Sequence, residues 1–239
     1  MQAARLGNLR KVQQFLENDT FDRLYLSKCL SAASSNYHFL TAAALVRAGA
    51  NIDVRNENGL TPLMLATFCN NVPFFNLVIK YGANVDATDC SGETPLIQSA
   101  RGFHNNLATA LLANGADVNA TGEHGTALHV ACQSGFKYCE HIFVQCGGNF
   151  VSTLIDHGAD VNVRDAIGQS PLHLLASAWR LTSSVEERHR SLAAQLISCG
   201  ANVNAMDSDG RTPLRLAIDN GYHNLASFLT KSGAMRDQS

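Results

Sequence analysis

The sequence predicts an all-α fold: a solenoid of about seven stacked helix-turn-helix units joined by β-hairpin-like loops. Three observations carry this reading. Gly-Ala recurs at 49, 82, 115, 158, 200 and 233, with gaps of 33, 33, 43, 42 and 33 residues. A second mark, Thr/Ser-Pro/Ala-Leu, begins at Thr61, Thr94, Thr126, Ser170 and Thr212 and keeps phase with the first. The residues before each glycine show helical spacing, as with Phe74, Leu77 and Val78 ahead of Gly82. Repeats of this period that keep their phase indicate stacked units.

The segment "GANVDATDCSGETPL", residues 82–96, shows how one unit hands over to the next. Gly82 ends a helix in the left-handed conformation that glycine tolerates. A short extended excursion follows, and Gly92 supplies a tight turn. Thr94 is an N-cap, and Pro95 takes the first helical position, where its missing N–H costs nothing. Helices of eight to ten residues are marginal alone. They persist by burying one face on neighbouring copies.

A single domain, residues 1–239, therefore divides into units at about 1–19 (partial), 20–53, 54–86, 87–119, 120–162, 163–204 and 205–239. The first unit begins within its own first helix, as expected of an end that frays or of a chain that continues upstream. The last is expected to be a cap. Thr230, followed by Lys231, stands where other units place Val46, Ile79, Leu112, Ile155 and Ile197, and a terminal repeat needs a polar outer face.

Two units are long. In 120–162, "KYCEHIFVQCGGN" already completes a second helix at normal spacing, so an extra short helix is expected near 150–157. The alternative is one long irregular loop. In 163–204 the insertion is "WRLTSSVEERHRSL". Ser183 and Glu186, or Ser184 and Glu187, fit a capping box. Val185, Leu192 and Leu196 continue one face, so this second helix should start near 184 and run to about 198. Trp179 either packs under the insertion or serves as an exposed anchor. Residues 179–191 are expected to project from the regular surface and to contribute to partner specificity.

Composition narrows the function. Net charge is −2 with Lys and Arg scattered, which argues against a nucleic-acid or membrane-surface role. No apolar run approaches the roughly 20 residues of a transmembrane helix. Seven irregularly spaced cysteines read as reduced thiols of a cytosolic or nuclear protein. Cys132, Cys139, His141 and Cys146 lack the close pairs of a zinc site, so they read as structural thiols. The scattered histidines, with Cys69 and Cys90, form no recognisable nucleophile pattern, and no phosphate-binding or dinucleotide motif occurs. No catalytic residue, cofactor or metal is expected. Asp86, Asp89, Asp165 and Asp207 are better explained by side chains bonding their own turns than by calcium.

The segments "GLTPLMLAT", "GETPLIQSA", "GTALHVACQSG", "GQSPLHLLAS" and "GRTPLRLAIDNG" resemble the ankyrin repeat, with its 33-residue period and T-P-L-H-x-A signature. The resemblance covers nearly the whole chain. The signature histidine is present at His129 and His173 and is replaced by Met64, Ile97 and Arg215 elsewhere, while Ala127 replaces a proline. The unit containing Ala127 has also lost one turn residue.

The resemblance implies a non-catalytic module, monomeric alone, that binds other proteins on its concave side. It places partner contacts on hairpin tips: Glu57, Asn58, Leu60, Cys90, Ser91, Glu93, Ile167, Gln169 and Arg211. On first helices it places Phe68, Arg101, Gln133, Ser134, Ser177 and Asp219, with Trp179 beyond them. Their mixed chemistry suits a protein surface better than a polyanion. Implied roles are scaffold, inhibitor, adaptor or substrate-recruiting subunit of a ubiquitin ligase. The last usually carries a docking box after its repeats, for which the sequence ending "KSGAMRDQS" leaves no room. Such repeats also serve as hydroxylase substrates at hairpin asparagines. Asn119, Asn162 and Asn204 match, each eight residues after Leu111, Leu154 and Leu196.

Overall fold

A computed structural model describes residues 1–18, 20–133, 149–177 and 183–235, with side chains at all of these but 183–185. Among them are fourteen helical segments and no strand; the sole β feature is an isolated antiparallel bridge between Gly122 and Gly125. The architecture is an all-α repeat solenoid of helix pairs.

The chain gathers into two compact units, residues 1–98 with 113–116, and residues 99–112 with 117–239. In the first, α1 (Gln2–Arg5), α3 (Arg23–Ser35) and α5 (Pro62–Phe68) are the first helices of successive pairs. Their partners are α2 (Leu9–Asn18), α4 (Phe39–Arg47) and α6 (Val72–Lys80). First helices pack on first helices, and second helices on second helices. The core between the layers holds Leu30, Leu45, Leu63, Met64, Phe75 and Val78, all essentially inaccessible.

α7 (Pro95–Arg101) and α8 (Asn105–Ala113) form the next pair. The second unit then continues with α9 (Ala127–Gln133), α10 (149–156), α11 (Pro171–Ala176), α12 (Ser183–Ser198), α13 (Pro213–Asp219) and α14 (His223–Lys231). Its core includes Leu107, Leu111, Leu128, Phe150, Leu154, Leu175, Leu196 and Leu225.

First helices start where the Thr-Pro mark indicates. Thr61 has extended backbone, and its side chain accepts from the Met64 N–H at 3.3 Å. Thr94 and Thr212 do the same for Ile97 and Arg215. At His129 and His173 the cap is reciprocal. Nδ1 of His129 accepts from the Thr126 N–H at 3.2 Å, and Nδ1 of His173 accepts from the Ser170 N–H at 3.1 Å. With Nδ1 accepting, Nε2 carries the proton and donates to the next hairpin: His129 to the Gln169 carbonyl at 3.0 Å, His173 to the Arg211 carbonyl at 3.1 Å. Gly125 (φ 84°) makes room for this, because a Cβ there would lie 2.9 Å from the His129 ring.

The helix expected near 150–157 exists. α10 occupies the place of a regular second helix: Phe150 meets Phe103 edge-on at 5.9 Å, and Thr153 Oγ1 donates to Asn105 Oδ1 at 2.8 Å. On its other side, Gln195 of α12 donates to Ser152 Oγ at 2.7 Å. The expected helix over "KYCEHIFVQCGGN" falls almost wholly outside the described residues.

α12 starts at Ser183 and ends at Ser198, as the sequence suggests. Its early turns do not stand off the surface, which corrects the expectation of a projecting segment for 183–191. His189 is fully buried, and its Nδ1 donates to the Leu175 carbonyl at 2.9 Å. Glu186 accepts from both the backbone and side-chain amides of Asn224 at 3.0 Å, which caps the start of α14. Thr230 and Lys231 on α14 are exposed.

Leu128 is fully buried and Leu6 is 68% exposed. Leu128→Ala should cost about 2–5 kcal/mol, whereas Leu6→Ala should cost less than about 0.5 kcal/mol. Urea unfolding checks this; equal losses would contradict mutual burial as the source of stability.

Candidate functional site

The candidate surface is built from hairpin tips and the exposed ends of first helices. Each regular tip is fixed by one side chain at its start. Asn56 Oδ1 accepts from the N–H groups of Asn58 and Leu60. Asp89 holds Ser91 and Glu93, Asp165 holds Ile167 and Gln169, and Asp207 holds Asp209 and Arg211 in the same way. These acids are turn-formers, and no group of three or more potential metal ligands exists among the described residues. The unit with the missing residue has no such side chain. Its tip closes instead as a two-residue turn through mutual backbone bonds of Gly122 and Gly125.

Neighbouring tips are joined. Cys90 N–H donates to the Asn58 carbonyl at 3.2 Å in the first unit, and Ser208 N–H donates to the Ile167 carbonyl at 3.1 Å in the second. At the hairpin bases, Asp53 Oδ1 accepts from the Asn84 N–H. Asn119, Asn162 and Asn204 go further. Each accepts from a backbone N–H of the following hairpin (Asp160, Asn202 and Met235) and donates to the carbonyl of its glycine (Gly158, Gly200 and Gly233). An aspartate can only accept; an asparagine makes both bonds.

Several expected contact residues are open to solvent: Glu57, Asn58, Phe68, Cys90, Ser91, Arg101, Gln133, Ile167 and Asp219. Leu60, Ser177 and Arg211 are half-buried. Two are corrections. Glu93 and Gln169 are buried, because the last residue of the five-residue turn folds beneath the tip; Gln169 reaches Asp207 Oδ2 at 3.4 Å. Three more are engaged within the fold. Arg211 bridges Asp207 and Asp209 at 2.9 and 2.8 Å, Asp219 pairs with Arg215, and Arg101 lies 3.3 Å from His124 Nδ1. Ser134 and Trp179 lie outside the described residues, as do Cys139, His141 and Cys146. Cys132 is fully buried, and burial pushes its thiol far above the ordinary range.

Sequence reasoning missed the turn between first and second helices. Among the described turns its left-handed residue is Gly7 in the first pair and Gly221 in the last, but Tyr37 (φ 61°), Asn70 (φ 50°) and Phe103 (φ 50°) in the second, third and fourth. A bulky residue there costs about 1–2 kcal/mol. Phe103 recovers this by burial against Phe150. Tyr37 remains 52% exposed, with only an edge contact to Phe39 at 6.3 Å. An aromatic residue where sister repeats place glycine was the signal available.

A profile of ankyrin repeats (three copies) matches residues 1–89, 74–148 and 141–238. The chain belongs to the ankyrin-repeat family, whose members are in general protein-interaction modules and typically not catalysts. No curated protein matched the sequence. Among the described residues no helix is long and apolar enough to cross a membrane.

Burial holds His129 and His173 below the ordinary 6.5 despite their carbonyl partners, and it pushes His189 down to about 4. Asp207 shows the opposite balance. Burial alone would raise its pKa, but the N–H and guanidinium of Arg211 hold it below the usual range. Since the three histidines bind protons more readily in the unfolded chain, their contribution is intact above about pH 6.5 and is lost as pH falls toward about 4. His189 alone accounts for roughly 3 kcal/mol of that loss. Urea unfolding at successive pH values should show stability falling across this window, and less steeply in His189→Gln; a flat profile would refute it. Separately, EDTA should leave the melting temperature unchanged. A drop restored by zinc would show that the Cys132, Cys139, His141 and Cys146 set binds metal.

Proposed function

We propose that the protein is a non-catalytic interaction module whose hairpin tips and first helices bind partner proteins, acting as a scaffold, inhibitor or adaptor. The observation that carries this reading is the exposure of large apolar side chains on those elements. Phe68, at the end of α5, is 61% exposed, and Ile167, at a tip, is 57% exposed. Solvated apolar groups on a backbone fixed by side-chain and inter-tip bonds make low-entropy anchors, the kind that dominate interfaces. A substrate-recruiting role would use the same surface.

A second reading draws on the three asparagines. Asn119 and Asn162 are exposed and occupy equivalent hairpin positions with Asn204, as repeated sites of one modifying hydroxylase would. Since both ends of each side chain are bonded, the hairpin base must open before the asparagine enters an enzyme.

The interaction reading is tested by affinity purification and mass spectrometry from cells expressing wild type, Phe68→Asp, Ile167→Asp or, as a control on α6, Lys80→Glu. Each aspartate variant should retain its helical circular dichroism and lose a subset of wild-type partners. If both capture every partner while the control loses them, binding belongs to the second-helix face and the reading fails.

A further inference from the structure

We propose that the first unit of the chain carries a recognition groove for an extended acidic segment of a partner protein, one with an apolar side chain flanked by carboxylates. This rests on the interaction-module reading and names the chemistry of the partner.

The groove has a volume of about 620 Å³ and lies between α1, α3 and the hairpin before α5. Its walls bring together three cations from three separate elements: Arg5 on α1, Lys28 on α3 and Arg55 at the hairpin. All three are exposed, and none meets a carboxylate partner among the described residues. By contrast, Arg190, Arg211 and Arg215 in the second unit are each paired with an acid. Only Glu57 among the lining residues is acidic, so the groove carries a local positive excess on a chain whose net charge is −2. Like charges around one concavity repel each other and focus a positive potential, and a bound carboxylate relieves both.

Apolar surface lies between these charges. Leu60 and Tyr37 line the same groove. Tyr37 holds a left-handed backbone that glycine holds in the first and last pairs, and about half of it stays exposed. An unfavourable local conformation that presents an aromatic ring beside three unpaired cations fits a ligand-contacting role. A strand of peptide lying across the tip can place an apolar side chain on Tyr37 and Leu60 and its carboxylates on Arg5, Lys28 and Arg55. Three dispersed cations with Glu57 among them make a poor track for a regularly spaced phosphate backbone.

The test is a selection of short random peptides displayed on phage against the full chain, followed by fluorescence anisotropy of the recovered peptides. Binding is measured with wild type, the triple variant R5E/K28E/R55E and Tyr37→Gly. Recovered peptides should be enriched in Asp and Glu, and their affinity should fall with salt and drop about tenfold or more in the triple variant. Tyr37→Gly should bind several-fold more weakly while unfolding at higher urea, since glycine relieves the turn. A merely structural tyrosine would not lower binding while its loss raises stability. Recovered peptides without acidic bias, or acidic peptides indifferent to the triple variant, would overturn the proposal and leave the interaction-module reading standing. So would displacement by a single-stranded oligonucleotide at equal charge, which would mark a general polyanion site. If no recovered peptide responds to substitutions on any tip or first helix, both readings fall.

Discussion

No short helix in this chain can hold itself together. The full first helices α5, α7, α9, α11 and α13 run six or seven residues, and α4, α6, α8 and α14 run nine. An isolated helix needs roughly 12–15 residues before it is even marginally stable in water. Each therefore exists because its apolar face is covered by neighbouring helices of its own unit. The local devices follow from that constraint. A threonine or serine cap and a proline at the first position fix where a seven-residue helix begins, since one lost turn would be most of it. The buried histidines extend the same economy: one ring closes its own helix start and ties that helix to the next hairpin.

Features that depend on local chemistry were legible in the sequence. The Thr-Pro caps, the glycines that end second helices, the Asx-type tips and the early start of α12 each need only a few neighbouring residues. Features that depend on three-dimensional address were not. Spacing placed a helix near 150–157, but its contacts with Phe103, Asn105 and Gln195 became visible only in three dimensions. Glu93 and Gln169 read as tip residues, yet the five-residue turn tucks its last side chain inward. Glu186 read as a capping-box residue of a projecting segment, and its partner Asn224 lies 38 residues away. Arg5, Lys28 and Arg55 carry no shared motif; only the stacking of three elements brings them to one groove.

The turns between first and second helices show how the same backbone demand is met by different means. Glycine meets it without a side chain, and Asn70 belongs to a type that tolerates the left-handed region. Phe103 meets it because its ring is buried against a neighbouring helix. Tyr37 has neither compensation in full, so its residue choice is not accounted for by folding alone.

Both lengthened repeats take their extra residues between the end of the first helix and the glycine that follows the second, in one of them mainly as the longer α12, and neither takes them at the hairpins. The hairpin bases consequently keep the same bonds whatever the intervening chain. Asp53 reaches a backbone amide 31 residues on, Asn119 one 41 residues on, Asn162 one 40 residues on, and Asn204 again one 31 residues on. Sequence distance varies by a third while the contact does not. Spacing between successive tips is thus set by side-chain amides and carboxylates acting as rungs, and chain length is free to vary at the far edge. Such a molecule can acquire or shed segments at one margin over its history without altering the spacing of successive tips, so the two margins are free to diverge independently.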